Sequence, residues 1–249
     1  MKIKVIFAVS LMCASLRGFA QSVDAASPSA DQVIATMLAR DGQRESLSAG
    51  YTGSRKYVLD NQKLNKRAVM LASITCDPDG TKHFAVVSEE GWKSANNHVL
   101  RKMLESESET SRPLNRPKSR LTSDNYTFPK IQVADMEGRP TYVIEVAPKR
   151  QDKTLFRGRI WVDAEDYALV RVEGEPAKAP SFWTRRVQFV QQYKKYGAFW
   201  FPLSTTSVTE AMIFGTTNVS IHYFDYTPAS NAAHGLATSP YREVNYVNH

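Results

Sequence analysis

The chain has 249 residues, of which 42% are hydrophobic and 23% charged, and its formal net charge is +7. This composition is typical of globular proteins and excludes a disordered or fibrous chain. Two cysteines, Cys13 and Cys76, can build neither a disulfide framework nor a four-ligand zinc site. At this length, one large all-β domain fits as well as two small domains.

The first 20 residues predict a signal peptide. A basic head at residues 1–4 precedes an apolar run at residues 5–16, and Gly18 and Ala20 place small residues where a signal peptidase reads, so we expect cleavage after Ala20. As a helix the run would span about 18 Å, too little to cross about 30 Å of hydrocarbon. We therefore expect a secreted protein that is soluble after cleavage.

Cleavage also changes the charge of the protein. It removes Lys2, Lys4 and Arg17, and three positive charges taken from +7 leave +4. A dedicated nucleic-acid binder is expected to carry a stronger, clustered basic face. We therefore predict no nucleic-acid partner.

The mature N-terminus predicts one helix followed by strands. A helix over residues 29–41 is indicated by the start signal at residues 27–31 and by an apolar face with spacings of three and four. Beyond Gly50, strands are predicted at residues 51–61, 66–76 and 82–88. The last two are joined by Asp77-Pro78-Asp79-Gly80, a strong turn signal.

Residues 94–122 interrupt the strand pattern. Val99, Leu100, Met103 and Leu104 give a helical stripe, after which residues 105–110 are acidic and serine-rich and residues 112–120 are basic. We predict a helix followed by an exposed, partly ordered excursion. A lid or entrance element is one interpretation of it, and a plain connector is the simpler one.

Strands dominate from residue 126 onward. The hairpin signal Glu137-Gly138 and a second turn at Gly197 separate runs that alternate between apolar and polar residues. We predict strands at residues 131–135, 141–147, 154–163, 168–173, 181–196, 199–209 and 217–226. The predicted fold is mainly β (α+β): one domain at residues 21–230 with a wide, curling antiparallel sheet, and a tail at residues 231–249.

Motifs of enzyme chemistry are absent from the sequence. It contains no Gly-x-Ser-x-Gly elbow, no His-Glu-x-x-His and no glycine-rich phosphate loop, and its five histidines share no ligand spacing. The acidic residues of Asp163-Ala164-Glu165-Asp166 fit a turn better than a calcium site, and Cys76 is expected to be a buried, inert thiol. We predict no catalytic residue, no metal and no cofactor.

Four segments carry a resemblance to a known family. Residues 158–163 and 167–173, then Phe199-Trp200-Phe201-Pro202 and residues 221–226, resemble the strand pattern of the lipoprotein carriers LolA and LolB and of the lipid-sensing domain of RseB-type regulators. The resemblance implies an unclosed antiparallel half-barrel covered by helices, here residues 29–41 and 94–105. It also implies a periplasmic location and an apolar cavity for acyl chains.

The resemblance predicts a non-catalytic periplasmic carrier or chaperone. Its partners would be the acyl chains of lipids or lipoproteins, with a membrane-bound donor or acceptor protein as a further candidate. The alternatives are a lipid or envelope-stress sensor domain that partners a membrane regulator, and a secreted hydrolase without a recognisable motif. The predicted cavity lining, for which an ordinary core position is the simpler interpretation, is Met70, Ile74, Phe84, Ile144, Val146, Ile160, Val162, Val170, Val172, Phe189 and Ile221.

Overall fold

The computed structural model describes residues 27–180, 182 and 184–229. The predicted signal peptide and the predicted tail lie outside the described residues. Within that part of the chain, helix α1 spans Ala30–Leu47, and helix α2 spans residues 93–111 as Lys93–Ala95, a π-helical turn Asn96–Leu100 and Arg101–Ser111. The strands are β1 Tyr51–Asn61, β2 Lys66–Cys76, β3 Lys82–Gly91, β4 Tyr126–Thr127, β5 Ile131–Met136, β6 Arg139–Pro148, β7 Phe156–Asp163, β8 Leu169–Pro176, β9 Thr184–Tyr196, β10 Phe199–Ala211 and β11 Gly215–Pro228.

These strands form one antiparallel sheet. Its order is β3-β2-β1-β11-β10-β9-β8-β7-β6, and both β4 and β5 pair with the remaining edge of β6. The three N-terminal strands are therefore added beside the last strand, through the pairing of β1 with β11. No pairing joins β3 to β4 or β5 in the described part of the chain, so the curved sheet is unclosed. The predicted open antiparallel sheet covered by helices is confirmed.

Helix α1 begins where the sequence predicts. Ser29 and Gln32 form a capping box, in which each side chain accepts a hydrogen bond from the other residue's backbone N–H. The helix continues six residues past the predicted end at residue 41. Arg44 accounts for the added length, because it pairs with Asp41 one turn back and also donates to the carbonyl oxygen of Asp166.

Helix α2 also runs past its predicted end at residue 105. The acidic, serine-rich stretch stays helical because β3 holds it: Ser108 Oγ donates to the carbonyl oxygen of Lys82 (2.8 Å), and the backbone N–H of Lys82 donates to Ser111 Oγ (2.9 Å). The basic residues that follow are also held, since Arg150 donates to Asn125 Oδ1 and to the carbonyl oxygen of Lys118. Hydrogen bonds to residues far along the chain thus attach this charged segment to the domain.

Two apolar clusters form beneath the two helices. Helix α1 packs against the half of the sheet built from β6, β7 and β8, and helix α2 packs against β1, β2 and β11. The first cluster contains Ala30, Val33, Ile34, Met37, Tyr126, Ile144, Val146, Leu155, Ile160, Val162, Val172 and Ala177, and the second contains Tyr57, Leu59, Ala68, Met70, Ala72, Ala95, Leu100, Leu104, Val219, Ile221 and Tyr223. One sheet face therefore supports two separate cores.

The tryptophan segments of the family resemblance meet at one junction. Asp163, at the end of β7, accepts hydrogen bonds from Arg139 and from the backbone N–H groups of Glu165 and Asp166, as expected for a turn. Trp200 Nε1 then donates to Asp166 Oδ2 at 3.1 Å. The turn after β7 is thereby tied to the start of β10.

None of the helices in the described residues is both long enough and apolar enough to cross a bilayer.

Candidate functional site

The structure divides the predicted cavity lining between the two cores. Nine of the eleven side chains are buried, and Phe84 and Phe189 are half-buried at the edges of the clusters. Ile144, Val146, Ile160, Val162, Val172 and Phe189 lie with the first cluster; Met70, Phe84 and Ile221 lie with the second; Ile74 and Val170 are buried outside both. Whether any of them contacts a ligand stays a prediction.

A pocket of about 400 Å³ lies between the C-terminal ends of the two helices. We call it the interhelical pocket, and its volume falls in the range of roughly 300–1,000 Å³ that is usual for small-ligand sites. Its lining combines the ends of α1 and α2, the turn between β2 and β3, and two aromatic rings. The lining residues are Glu45, Ser48, Tyr51, Cys76, Asp77, Pro78, Gly80, Lys82, Glu107, Thr110, Ser111, Arg116 and Phe201.

Gly80 lets the turn between β2 and β3 form one wall of this pocket. Its φ of +82° is in the left-handed region, and its N–H donates to the carbonyl oxygen of Asp77 at 2.8 Å. An added Cβ would lie 2.3 Å from the Arg116 guanidinium. Glycine at this position therefore leaves room for the Arg116 side chain beside the turn.

Aromatic rings line the sheet side of the pocket. Phe201 stacks on Tyr226 with a centroid distance of 4.3 Å, and Tyr51 meets both rings edge-on at 5.0 and 5.6 Å. The Tyr226 hydroxyl donates to the carbonyl oxygen of Pro202, which satisfies its polar group. The apolar part of the ring then packs against Phe201 and Tyr51. This group of rings provides apolar surface at the open end between the helices.

Three charged side chains fasten α2 to the sheet, and we call them the buried charge cluster: Arg55, Lys82 and Glu107. The two terminal nitrogens of Arg55 donate to the two carboxylate oxygens of Glu107, at 2.5 and 3.1 Å, and Lys82 Nζ donates to Oε1 at 2.8 Å. The Arg55 side chain is only 2% exposed, whereas that of Glu107 is 34% exposed. Two cations thus share one carboxylate at the border of the interhelical pocket.

Aromatic rings complete the surroundings of Arg55. Its guanidinium carbon lies 4.9 Å from the ring centroid of Phe84 and 4.7 Å from that of Tyr223. Arg55 Nε is buried without a hydrogen-bond partner. The arginine therefore depends on Glu107 for most of its electrostatic compensation.

The charge cluster changes the ionisation of its members. Burial alone would raise the pKa of Glu107, but the adjacent Lys82 and Arg55 outweigh it and lower that pKa to about 2. Burial alone would lower the pKa of Lys82 and of Arg55, but the neighbouring Glu107 carboxylate outweighs burial and raises both pKa values. All three groups are therefore charged at neutral pH.

Tyrosine hydroxyls surround the cluster and remain protonated. Burial raises the pKa of Tyr57 to about 12, even though Arg55 opposes this change. Burial likewise raises the pKa of Tyr51, Tyr223 and Tyr226. These tyrosines are therefore neutral phenols at neutral pH.

Cys76 lines the interhelical pocket as a buried thiol. Burial raises its pKa, which disfavours the reactive thiolate. In the described residues, no group of three or more His, Cys, Asp or Glu side chains could hold a metal ion.

A second depression, of about 530 Å³, lies on β6 and β7. Val146 is one of its lining residues, together with the exposed Glu145, Arg157 and Arg159. Its lining comes from these two neighbouring strands alone, whereas the ends of both helices, the β2–β3 turn and two aromatic rings line the interhelical pocket, which is therefore the better candidate.

Sequence reasoning did not find the buried charge cluster. Arg55 lies 52 residues from Glu107 and Lys82 lies 25 residues from it, so spacing gives no hint of their contact. One signal was available, because Arg55 shares a strand face with Tyr51, Tyr57 and Leu59. A cation among apolar side chains on one face predicts a buried partner.

A family of unknown function, DUF5686, matches residues 100–227. The match covers half of the chain, so the chain belongs to this family. It begins within α2 and ends in β11. No curated protein matches the chain.

Several solved structures are similar to the chain over most of its length. A domain assigned to outer membrane lipoprotein sorting, from Vibrio parahaemolyticus, is 13% identical and has a TM-score of 0.39, with 79% of this chain and 94% of that chain covered. A DUF1329 family protein from Desulfovibrio piger is 12% identical with a TM-score of 0.41, covering 80% and 92%. A LolA superfamily protein from Nitrosomonas europaea is 11% identical with a TM-score of 0.35, covering 83% and 94%. Two of these structures are described as a lipoprotein-sorting domain and a LolA superfamily protein, the class of protein whose strand pattern this sequence resembles.

Proposed function

We propose that the protein binds acyl chains of lipids or lipidated proteins between its helices and sheet, as a non-catalytic carrier or chaperone in the periplasm. The observation that carries the proposal is the interhelical pocket, which lies between the C-terminal ends of the two helices that cover the sheet. The rings of Tyr51 and Phe201 offer an apolar guest a contact surface in a volume of about 400 Å³. The neutral phenols and the inert thiol around it favour binding over chemistry.

Apolar transfer supplies enough affinity for such a guest. Each methylene moved from water into an apolar site contributes about 0.8 kcal/mol, so even half of a sixteen-carbon chain gains about 6 kcal/mol before ordering costs. Release is the harder step, because a tightly held chain must leave again. A carrier therefore needs a covering element that can move.

Helix α2 has the features of such an element. In its last three turns, Leu104 is buried and Met103 is packed against the second cluster, and the remaining attachments are polar. Its π-helical turn at Asn96–Leu100 provides a local irregularity of the kind often found at functional sites. Displacement of α2 would expose Met70, Phe84 and Ile221, and in this way these three members of the predicted cavity lining would reach a ligand.

The test combines native mass spectrometry with a fluorescent sixteen-carbon fatty acid. Protein purified without detergent should carry bound acyl species and should bind the probe. Thr110→Trp places an indole ring in the interhelical pocket and should weaken probe binding at least tenfold. Ser106→Trp, on the exposed side of the same helix, is the matched control and should bind like the wild type.

Two results would contradict the proposal. A wild-type protein with an unliganded mass and no probe binding would reject acyl binding altogether. Equal binding by Thr110→Trp and Ser106→Trp would reject the interhelical pocket as the place where the chain enters.

A broad panel of ester and glycan substrates tests the hydrolase alternative, which requires turnover. Recovery of a membrane regulator by pull-down would favour the sensor alternative.

A further inference from the structure

Two hairpin tips lie side by side at the end of the sheet opposite to the interhelical pocket. The tip between β10 and β11 exposes three consecutive large apolar residues, and the tip between β1 and β2 adds one more. Leu64, Met212, Ile213 and Phe214, here called the hairpin-tip patch, are 39%, 46%, 50% and 50% exposed. Large apolar side chains on a protein surface usually occur as isolated residues. A run of three exposed ones at a turn is therefore typical of a binding surface.

Hydrogen bonds hold the two tips together. Asn61 Nδ2 donates to the carbonyl oxygen of Phe214 at 2.9 Å, and Lys63 Nζ donates to that of Ile213 at 2.9 Å. The side-chain oxygen of Asn61 accepts from the N–H of Leu64 at 2.8 Å. The two tips are therefore hydrogen-bonded to each other, and their apolar side chains form one surface.

Positive charge surrounds the patch. The strand ends at this edge of the sheet, residues 60–67, 90–93, 184–186 and 210–216, contain six Lys or Arg residues against three Asp or Glu residues, a local charge of +3. Lys66 lies over the ring of Trp92, with Nζ 5.5 Å from its centroid, which places an indole beside the tips. Apolar side chains at a tip, with cations and an indole behind them, match the layers of a membrane interface.

We propose that the hairpin-tip patch docks the protein on a lipid bilayer with an anionic surface. The patch lies at the tips of two hairpins, and such a small apolar surface can insert between lipid headgroups. The cations around it complement anionic headgroups. Along β1, the eleven residues from Tyr51 to Asn61 separate the patch from the interhelical pocket by about 33 Å at a rise of about 3.3 Å per residue. Docking is therefore a second activity that leaves the pocket free.

Vesicle binding by the full chain tests this proposal. Vesicles of 70% phosphatidylethanolamine and 30% phosphatidylglycerol should co-sediment the protein, and phosphatidylcholine vesicles or 1 M NaCl should weaken binding at least tenfold. The triple variant Met212→Ser, Ile213→Ser, Phe214→Ser should bind the anionic vesicles at least tenfold more weakly. A control triple variant, Val87→Ser, Leu114→Ser, Val133→Ser, changes three other exposed apolar residues and should bind like the wild type.

Brominated lipid provides a second readout. It should quench the fluorescence of the wild type, and the quenching should fall in the variant Trp92→Phe. Circular dichroism checks the fold of each variant, and if the tip triple does not fold, Ile213→Ser alone should still weaken binding at least threefold. Failure of the wild type to bind anionic vesicles, or equal binding by the tip and control triples, would overturn the proposal.

The two activities can fail separately. The tip triple should retain binding of the fluorescent fatty acid, because its substitutions lie far from the interhelical pocket. Thr110→Trp should conversely retain vesicle binding. Loss of both activities in either variant would overturn the assignment of docking to the tips.

Discussion

Replacement of Glu107 by Gln tests how strongly the buried charge cluster holds α2. The change removes the carboxylate that pairs with both Arg55 and Lys82. The pKa of Glu107 falls from an ordinary value near 4.5 to about 2, and this difference corresponds to about 3.4 kcal/mol at about 1.36 kcal/mol per pH unit. Because the Glu107 side chain is 34% exposed, water screens part of its interaction with the two cations. We therefore expect a loss of about 1.5–2 kcal/mol in the free energy of unfolding.

The pH dependence of this loss has a definite sign. A carboxyl whose pKa is lowered by folding stabilises the protein above its unfolded pKa, and that contribution disappears as the pH falls through the folded pKa. The difference between wild type and Glu107→Gln should therefore be full at pH 7 and shrink between about pH 4.5 and about pH 2. Arg55 stays buried and charged throughout this range.

Urea unfolding followed by tryptophan fluorescence, at pH 7, 4 and 2.5, measures these differences. Glu105→Gln is the control, since Glu105 pairs with Lys102 on the exposed side of the same helix, and it should change stability by less than about 0.5 kcal/mol. If Glu107→Gln loses no more than this control, or loses as much at pH 2.5 as at pH 7, the electrostatic explanation of how α2 is held is refuted.

Three further substitutions test the backbone and the turn, each by urea unfolding against the wild type. Gly158→Ala should cost more than about 3 kcal/mol or prevent folding, because a Cβ would lie 2.0 Å from the carbonyl oxygen of Glu173; a loss below about 1 kcal/mol would contradict the close pairing of β7 with β8. Gly42→Ala should instead stabilise by about 0.5–1 kcal/mol, since a Cβ in the middle of α1 meets nothing within 4 Å, and a loss of stability would contradict this prediction. Asp163→Asn should cost about 2–3 kcal/mol at neutral pH because it weakens four hydrogen bonds at a buried carboxylate. Burial alone would raise the pKa of Asp163, but its hydrogen bonds with Arg139 and with the backbone N–H groups outweigh burial and lower it. The loss should therefore shrink in acid, and a loss independent of pH would refute the charge-based explanation.

The strands and turns of this protein could be predicted from local patterns. Alternation of apolar residues located each long strand, and the turns at Gly80, Gly138 and Gly197 show positive φ as the turn chemistry requires. The helix ends were predicted less well. Helix α1 and helix α2 both continue because of contacts with distant residues, Asp166 and Lys82, which no local signal indicates.

The candidate site was harder to predict because it depends on topology. The pairing of β1 with β11 sets Arg55 opposite Tyr223, and α2 then brings Glu107 over both. The sequence showed an apolar face and a helix to cover it, and these indicated the class of site. It did not show that the two helices cover two separate apolar clusters. Nor did it show that the buried charge cluster holds α2 at the border of the second one.

The order of the strands also constrains when the molecule can fold. Strand β1 pairs with β2 on one side, but its partner on the other side is β11, so residue 51 must wait for residue 228 before its half of the sheet is complete. Pairings across such a long stretch of chain close slowly, because the intervening loop must first be brought together. A ribosome-bound or truncated chain ending before Gly215 would hold β1, β2 and β3 without their central partner. The second apolar cluster would then lack Val219, Ile221 and Tyr223, and we expect such a fragment to be captured by chaperones or to aggregate.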